Sequence, residues 1–377
     1  MEAKQILMIG SDLHTNGGIA SVVKCYHKTF ERNHTQFDFN FILLRTYYYK
    51  DKGLLFELFI FIKALIVCVW LLLFRHVDVV HIHSSAGISF ARKTFFVFLA
   101  RLFGKKTILH LHASRFYDFF LTSQPLKRFW INTVFTQADM VITLCSDWET
   151  KIREYYPKVR VTTIHNPVDL ADNDFVPAKE RKNALHVIFV GFLIPSKGIA
   201  DLLQVALRFA QNSHPGVRFS IAGKGEMEED ILNFISEHDL EENISYLGWV
   251  SGKDKEALYQ SADVFFLPSY KEGMPMSILE AMRYSLPIIS TNIAGIPDLV
   301  SEGANGYMLQ PGDVEGYYQK LKLLAEDSAL LRSFRKESYA RVQGFDTRKI
   351  LKEVENTYDV LLDENGQKAS APNIPPA

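Results

Sequence analysis

The chain has little cysteine: three residues in 377, at positions 25, 68 and 145, widely spaced and without a CxxC pair. That excludes a disulfide framework and a thiolate zinc site, and it suits a reducing cytoplasmic setting. Net charge is nearly absent, at -1, which argues against general nucleic-acid binding. The near-zero sum hides an asymmetry, because residues 1–180 carry 22 Lys and Arg against 16 Asp and Glu, whereas residues 181–377 carry 20 against 27. A basic first half could rest on an anionic surface. A leader-type hydrophobic segment is also missing from the start, where the short apolar run Ile6 to Ile9 ends at Gly10 and reads as a strand.

What is present is a folded composition, 47% apolar and 23% charged, long enough for two domains that each bury a core. Apolar runs of strand length alternate with helical patterns in both halves, which predicts α/β architecture with two doubly wound parallel sheets. Ile6–Ile9, Phe37–Leu43, Val77–Ile82, Lys106–Leu109 and Ala138–Leu144 are expected strands of the first half, and His186–Val190, Arg218–Ala222, Ile244–Gly248, Val264–Leu267, Pro287–Ser290 and Asn305–Leu309 of the second. Ser146 with Glu149 three residues on has the form of a capping box. One run stands apart. Leu54 to Phe74 is long enough to span a bilayer, with Glu57 and Lys63 as its only charges. A span would separate neighbouring strands of one sheet, so the better readings are a largely buried helix or one that dips into a membrane interface, with a true span as the remaining alternative.

The stretch Asp263 to Met282, DVFFLPSYKEGMPMSILEAM, carries the chemistry. A strand leads through a polar loop into a helix opening near Pro275, and proline suits a first helical turn. The amides there, from Gly273 through Met274 and Pro275 to Met276, lie at the positive end of the helix dipole, an arrangement that suits a phosphate. Glu272 and Glu280 approach the same place, and carboxylates accept hydrogen bonds from sugar hydroxyls. Lys197, at the mouth of another expected helix, could pair with a diphosphate. Gly17 and Gly18 follow the first strand, where glycines let a backbone approach a bulky ligand, although a plain tight turn explains them equally. Histidines 81, 83, 110 and 112 fall at strand ends. They suggest a metal, but no Asp or Cys accompanies them at ligand spacing, so we expect none. Asp172-Asn173-Asp174 reads as a solvated connector.

The paired glutamates of EGMPMSILE, with the SKG, AGKG, LGWV and NGYMLQPGD segments in order, resemble the retaining glycosyltransferases of family 4, also called group 1. The resemblance covers nearly the whole chain and is dense from about Val187 to Leu309. It implies the GT-B fold: two Rossmann-like lobes facing a central cleft, here an acceptor-side lobe over 1–172, a nucleotide-sugar-binding lobe over 184–345, a last helix at 346–362 crossing back to the first lobe, and a tail over 364–377 that reads as disordered. It implies a UDP- or GDP-linked sugar donor, a saccharide or lipid-linked saccharide acceptor, no cofactor and no essential metal. By the same resemblance Glu272 contacts the donor sugar, Glu280 fixes the ribose, Gly17 and Gly18 face the diphosphate, Val250 frames the base and His112 points at the transferred sugar, with His110 turned to the opposite side of its strand. The family's usual Arg five residues before the lysine is Phe192 here, which leaves the cationic clamp half built. Surface polysaccharide or glycolipid assembly, by a cytoplasmic protein held peripherally at the inner face of the membrane, is the expected setting. A catalytically silent binding protein and a nucleotide-sugar epimerase are the rival readings.

Overall fold

The computed structural model describes residues 3–13, 17–46, 53–113, 115–170, 184–212 and 216–363. The Asp172-Asn173-Asp174 triplet and the 364–377 tail lie outside the described residues. The chain forms two compact units, the first built up to Thr143 with Glu149–Ile164 and the segment from Arg348 on, the second from Leu144–Trp148 and His165–Thr347.

In the first unit β1 (Lys4–Gly10), α1 (Gly18–Asn33), β2 (Phe39–Arg45), α2 (Leu54–Phe74), β3 (Val79–Ser84), α3 (Ile88–Leu102), β4 (Lys106–Leu111), α4 (Pro125–Gln137), β5 (Met140–Thr143), α5 (Ser146–Tyr155, its residues up to Trp148 counted with the second unit) and β6 (Val161–Thr163) follow one another. The strands form one parallel sheet in the order β2-β1-β3-β4-β5-β6. The direction of travel reverses between β1 and β3, so their carboxyl ends flank the crevice where doubly wound sheets hold ligands. Helix α3 packs beside both α2 and α4. The capping box at α5 does not form. Glu149 instead accepts from Arg153 and Thr163, and Ser146 donates to Asp298.

The second unit continues with β7 (Leu185–Val190), α6 (Ile199–Gln211), β8 (Val217–Ala222), α7 (Glu228–Glu237), β9 (Ile244–Gly248), α8 (Gly252–Ser261), β10 (Val264–Leu267), α9 (Met276–Arg283), β11 (Ile288–Thr291), α10 (Ile296–Leu299), β12 (Gly306–Leu309), α11 (Val314–Glu326) and α12 (Ser328–Val342). Its parallel sheet has the order β12-β11-β10-β7-β8-β9 and reverses between β10 and β7. Those two strands are buried along nearly all their residues, as their β-branched and aromatic content dictates. The final helix, α13 (Thr347–Asp363), is counted from Arg348 with the first unit, where Glu355 accepts from the Asp38 amide at 2.6 Å.

Helix α2 is not largely buried. Ala64, Cys68, Leu71 and Leu72 face inward, while Leu55, Phe59, Ile66 and Phe74 are more than half exposed. A helix apolar all round can bury only one side against a single sheet. It is not a span either, since β2 and β3, which it joins, both pair with β1.

Candidate active site

The second unit's crevice is lined by two loops that leave the switch-point strands. After β7, residues 191–198 run into a single 3₁₀ turn, Pro195–Lys197, and then into α6. Gly198 takes a left-handed φ of 72°, and a Cβ there would meet the Pro268 carbonyl oxygen at 1.9 Å. That contact lets the first loop lie against the second. The amides of Tyr270 and Lys271 both donate to the Ser196 carbonyl, at 2.8 and 3.3 Å, which stitches the loops together.

This stitching brings Lys197 to Glu272. The ammonium donates to Oε1 at 2.6 Å, and Ser269 Oγ donates to the same oxygen at 2.8 Å. The carboxylate is buried, at 6% exposure, and a buried charge is tolerated when it is paired and hydrogen-bonded in this way. Both bonds fall on Oε1, so Oε2 has no hydrogen-bond partner among the described residues. Glu280, on α9, is held by Lys255 at 2.7 Å and by the Tyr259 hydroxyl at 3.0 Å. Lys255 and Tyr259 are four apart on α8 and therefore share a face.

Helix α9 begins at Met276, with Pro275 before it as the cap residue and no side-chain cap. Pro275 lies one residue earlier than the first-turn place expected of it, and its extended ψ of 119° leads the chain into the helix. The loop before it is fixed from behind. Asn166 donates its amide nitrogen to the Met274 carbonyl at 2.8 Å, and the Gly295 amide donates to the Gly273 carbonyl at 2.8 Å. A Cβ on Gly273 would meet Trp148 at 2.7 Å, so only glycine fits above that indole. Asp298 braces the neighbouring turn through Ser146 and His165. Burial works to raise its pKa, but the hydrogen bonds from His165 and Ser146 outweigh it and hold the carboxyl below its usual range.

Val250 follows β9 and is partly exposed. Trp249 and Phe192 are 40% and 45% exposed, and their ring centroids lie 5.9 Å apart. The position without the expected arginine is therefore one half of an exposed aromatic pair at the ends of β7 and β9.

In the first unit, Gly17 precedes α1 with φ 138°, and a Cβ on either Gly17 or Gly18 would meet open space. Among the described residues the four histidine side chains bond to one another and to Tyr358. His81 and His83 lie inside β3, and all four rings stack on one side of the sheet, with His110 and His112 centroids 4.3 Å apart. The expected outward turn of His110 is thus corrected: residues two apart on a strand share a face. His81 bonds to the Tyr358 hydroxyl at 2.8 Å and to His110 at 3.2 Å, and His83 bonds to His112 at 2.9 Å. Burial drives all four pKa values down, those of His81 and His112 to about 3, so the rings are neutral. One ring nitrogen from each of His81, His83 and His110 lies within 4.8 Å of the others, a set that could hold a metal ion.

Sequence reasoning named Glu272, Glu280 and Lys197 but missed their partners. Ser269, Lys255 and Tyr259 carry no motif, and only the four-residue spacing on α8 could have revealed the last two. Asn166 and Asp298, distant in sequence, gave no signal.

The sequence matches two family profiles: the one described as glycosyl transferases group 1 over residues 171–341, and the one described as glycosyltransferase family 4 over residues 28–172. The chain is 30% identical over 319 residues to the UDP-Gal:alpha-D-GlcNAc-diphosphoundecaprenol alpha-1,3-galactosyltransferase of Escherichia coli, covering 80% of this chain and 79% of that protein. It is 28% identical over 219 residues to an uncharacterized glycosyltransferase of Haemophilus influenzae, covering 58% of this chain and only 60% of that relative's length. Among solved structures, sucrose-phosphate synthase from Thermosynechococcus elongatus superposes with a TM-score of 0.76 at 17% identity, over 96% of this chain and 100% of that one, a likeness of fold.

Proposed function

We infer that this chain, which belongs to the glycosyl transferases group 1 family, moves a sugar from a nucleotide-sugar donor to a saccharide or lipid-linked saccharide, with retention of anomeric configuration. The observation that carries the reading is the convergence of Lys197, Glu272 and the start of α9 at the second unit's switch point. The Escherichia coli relative's name supports a uridine diphosphate donor over a guanosine one and a polyprenyl diphosphate-linked acceptor. Surface polysaccharide or glycolipid assembly, on the cytoplasmic side of the membrane, is the setting this favours.

In the reaction the bond from the anomeric carbon to the diphosphate oxygen breaks, and the acceptor hydroxyl oxygen bonds to that carbon. The hydroxyl proton passes to the departing diphosphate. Negative charge grows on that leaving group, and the amides of Gly273, Met274 and Met276 together with Lys197 stabilise it. No essential metal or cofactor forms part of this proposal. Glu272 receives donor-sugar hydroxyls on Oε2. Its charge is balanced by an ammonium at 2.6 Å, which makes it a poor nucleophile and favours attack on the face the diphosphate leaves. Glu280, pinned by Lys255 and Tyr259, takes the ribose hydroxyls, and the backbone at Val250 frames the base. His112, just after β4, is neutral and so can offer a sugar a hydrogen bond but not serve as an acid.

The test is incubation of purified protein with UDP- and GDP-sugars and a polyprenyl diphosphate-linked acceptor extract. Sugar transfer that disappears in Glu272→Ala is the expected result. Intact donor under every condition would instead identify a silent binding protein, and an altered sugar nucleotide formed without acceptor would identify an epimerase.

A further inference from the structure

We propose that the outer faces of α2 and α3 seat the first unit on an anionic lipid bilayer, a proposal that rests on the lipid-linked acceptor inferred above. Eight of the large apolar side chains of α2, from Leu55 to Phe74, are more than a third exposed, and they recur three or four residues apart as one stripe. The mean hydropathy of this helix reaches 2.5, yet only 22% of its most apolar window is buried. Soluble surfaces seldom leave so continuous an apolar patch open to water.

The stripe continues sideways. Phe61 of α2 meets Phe95 of α3 at 5.6 Å between centroids, and Arg92 of α3 pairs with Glu57 at 3.6 Å. Phe95 and Leu102 of α3 are themselves exposed, at 56% and 79%, so the two helices present one surface. Glu57, one of the two charges of α2, is tied down by that ion pair, which leaves Lys63 as the other.

Charge decides between possible occupants. Residues 53–136 carry ten Lys and Arg against three Asp and Glu, and although Lys93 is buried, Lys63 on α2 and Arg75 at its end are exposed. A second copy would set these cations against their like, whereas an anionic headgroup layer complements them. At the carboxyl end of α2, Arg75 lies over the Trp70 ring at 6.0 Å, and indole with guanidinium is the pairing suited to the boundary between acyl chains and headgroups. The apolar stripe offers few polar atoms by which a protein partner could be oriented. Lying flat is the one arrangement consistent with the sheet, because both strands joined by α2 pair with β1. The face thereby holds the unit at the surface from which a lipid-linked acceptor would be taken.

The experiment is flotation of the full chain with vesicles of phosphatidylglycerol and phosphatidylcholine, and with phosphatidylcholine alone, at low and high salt. The protein is expected to float with the anionic vesicles and less with neutral ones. Salt should weaken the association, and Phe59→Ser/Ile62→Ser/Ile66→Ser should reduce it about tenfold or more. A Lys63→Glu/Arg75→Glu variant, which leaves the stripe intact, should fall by a similar factor. Thermal unfolding and UDP binding of each variant report whether folding and the second unit survive. Wild-type protein remaining at the bottom of every gradient overturns the proposal, as does flotation unchanged by both variants. So does light scattering that shows a dimer dissolved by the serine substitutions, which would make a second copy the occupant. Transfer to a soluble acceptor, measured on the same samples, separates the two claims: loss of flotation with transfer intact removes only the docking face, whereas flotation without transfer removes only the enzymatic reading.

Discussion

Lowering the pH should unfold the first unit through its histidine stack. His81, His83 and His110 are buried, His112 is half-buried, and all four are neutral in the folded chain, because removal from water depresses the pKa of each, those of His81 and His112 to about 3. In the unfolded chain each imidazole titrates at about 6.5. The unfolded state therefore binds more protons at any pH between these values, and stability falls as pH falls. Full stability holds above about pH 6.5, and the loss continues until the folded state itself takes up protons near pH 3. Each group contributes about 1.4 kcal/mol per pH unit in that window, so four give about 5 kcal/mol between pH 7.5 and 5.5. A typical domain has only about 5–15 kcal/mol in all. Urea titrations followed by circular dichroism, repeated at intervals of half a pH unit, measure the loss directly. The expected slope near pH 5 corresponds to uptake of about four protons on unfolding, reduced to about two in His83→Leu/His110→Leu. A urea midpoint that stays constant between pH 7.5 and 5.5 would refute the reasoning.

Three further outcomes follow from the second unit. Lys197→Met leaves the Glu272 carboxylate, 4% exposed, without its counter-charge, and should cost about 2–3 kcal/mol by denaturant titration, with Glu272→Gln added to it recovering much of the loss. Equal, additive effects of the two changes would contradict a coupled pair. Gly198→Ala places a Cβ against the Pro268 carbonyl at a left-handed φ, and should destabilise by about 2 kcal/mol or more while lowering transfer activity; a neutral result would mean that the two loops are not locked together. Phe192→Arg should strengthen UDP binding about fivefold in calorimetry by supplying a second cation, and unchanged or weaker binding would assign the diphosphate elsewhere.

Much of the fold was legible because both sheets are parallel and covered on two faces, so their strands read as continuous apolar runs such as Val264–Leu267. The helix–phosphate argument at Pro275 was likewise local and could be made from one stretch. What escaped was non-local or geometric. The bonds from Ser269 and Lys197 to Glu272 depend on two loops meeting across the switch point, and nothing in either segment specifies the other. The histidines were visible, but their ring stack depends on the register that sets His83 beside His110. Composition alone could not decide whether α2 is buried, because an apolar helix has the same sequence whether a protein or a lipid covers its outer face.

The central claim is that a nucleotide-sugar diphosphate rests at the start of α9 beside Lys197. Isothermal titration of the purified protein with UDP and UDP-sugars tests it most directly. One site per chain is predicted, with affinity lowered about tenfold by Lys197→Met through loss of a charge-assisted bond. Absence of binding to any nucleoside diphosphate, or an affinity untouched by that substitution, would contradict the account.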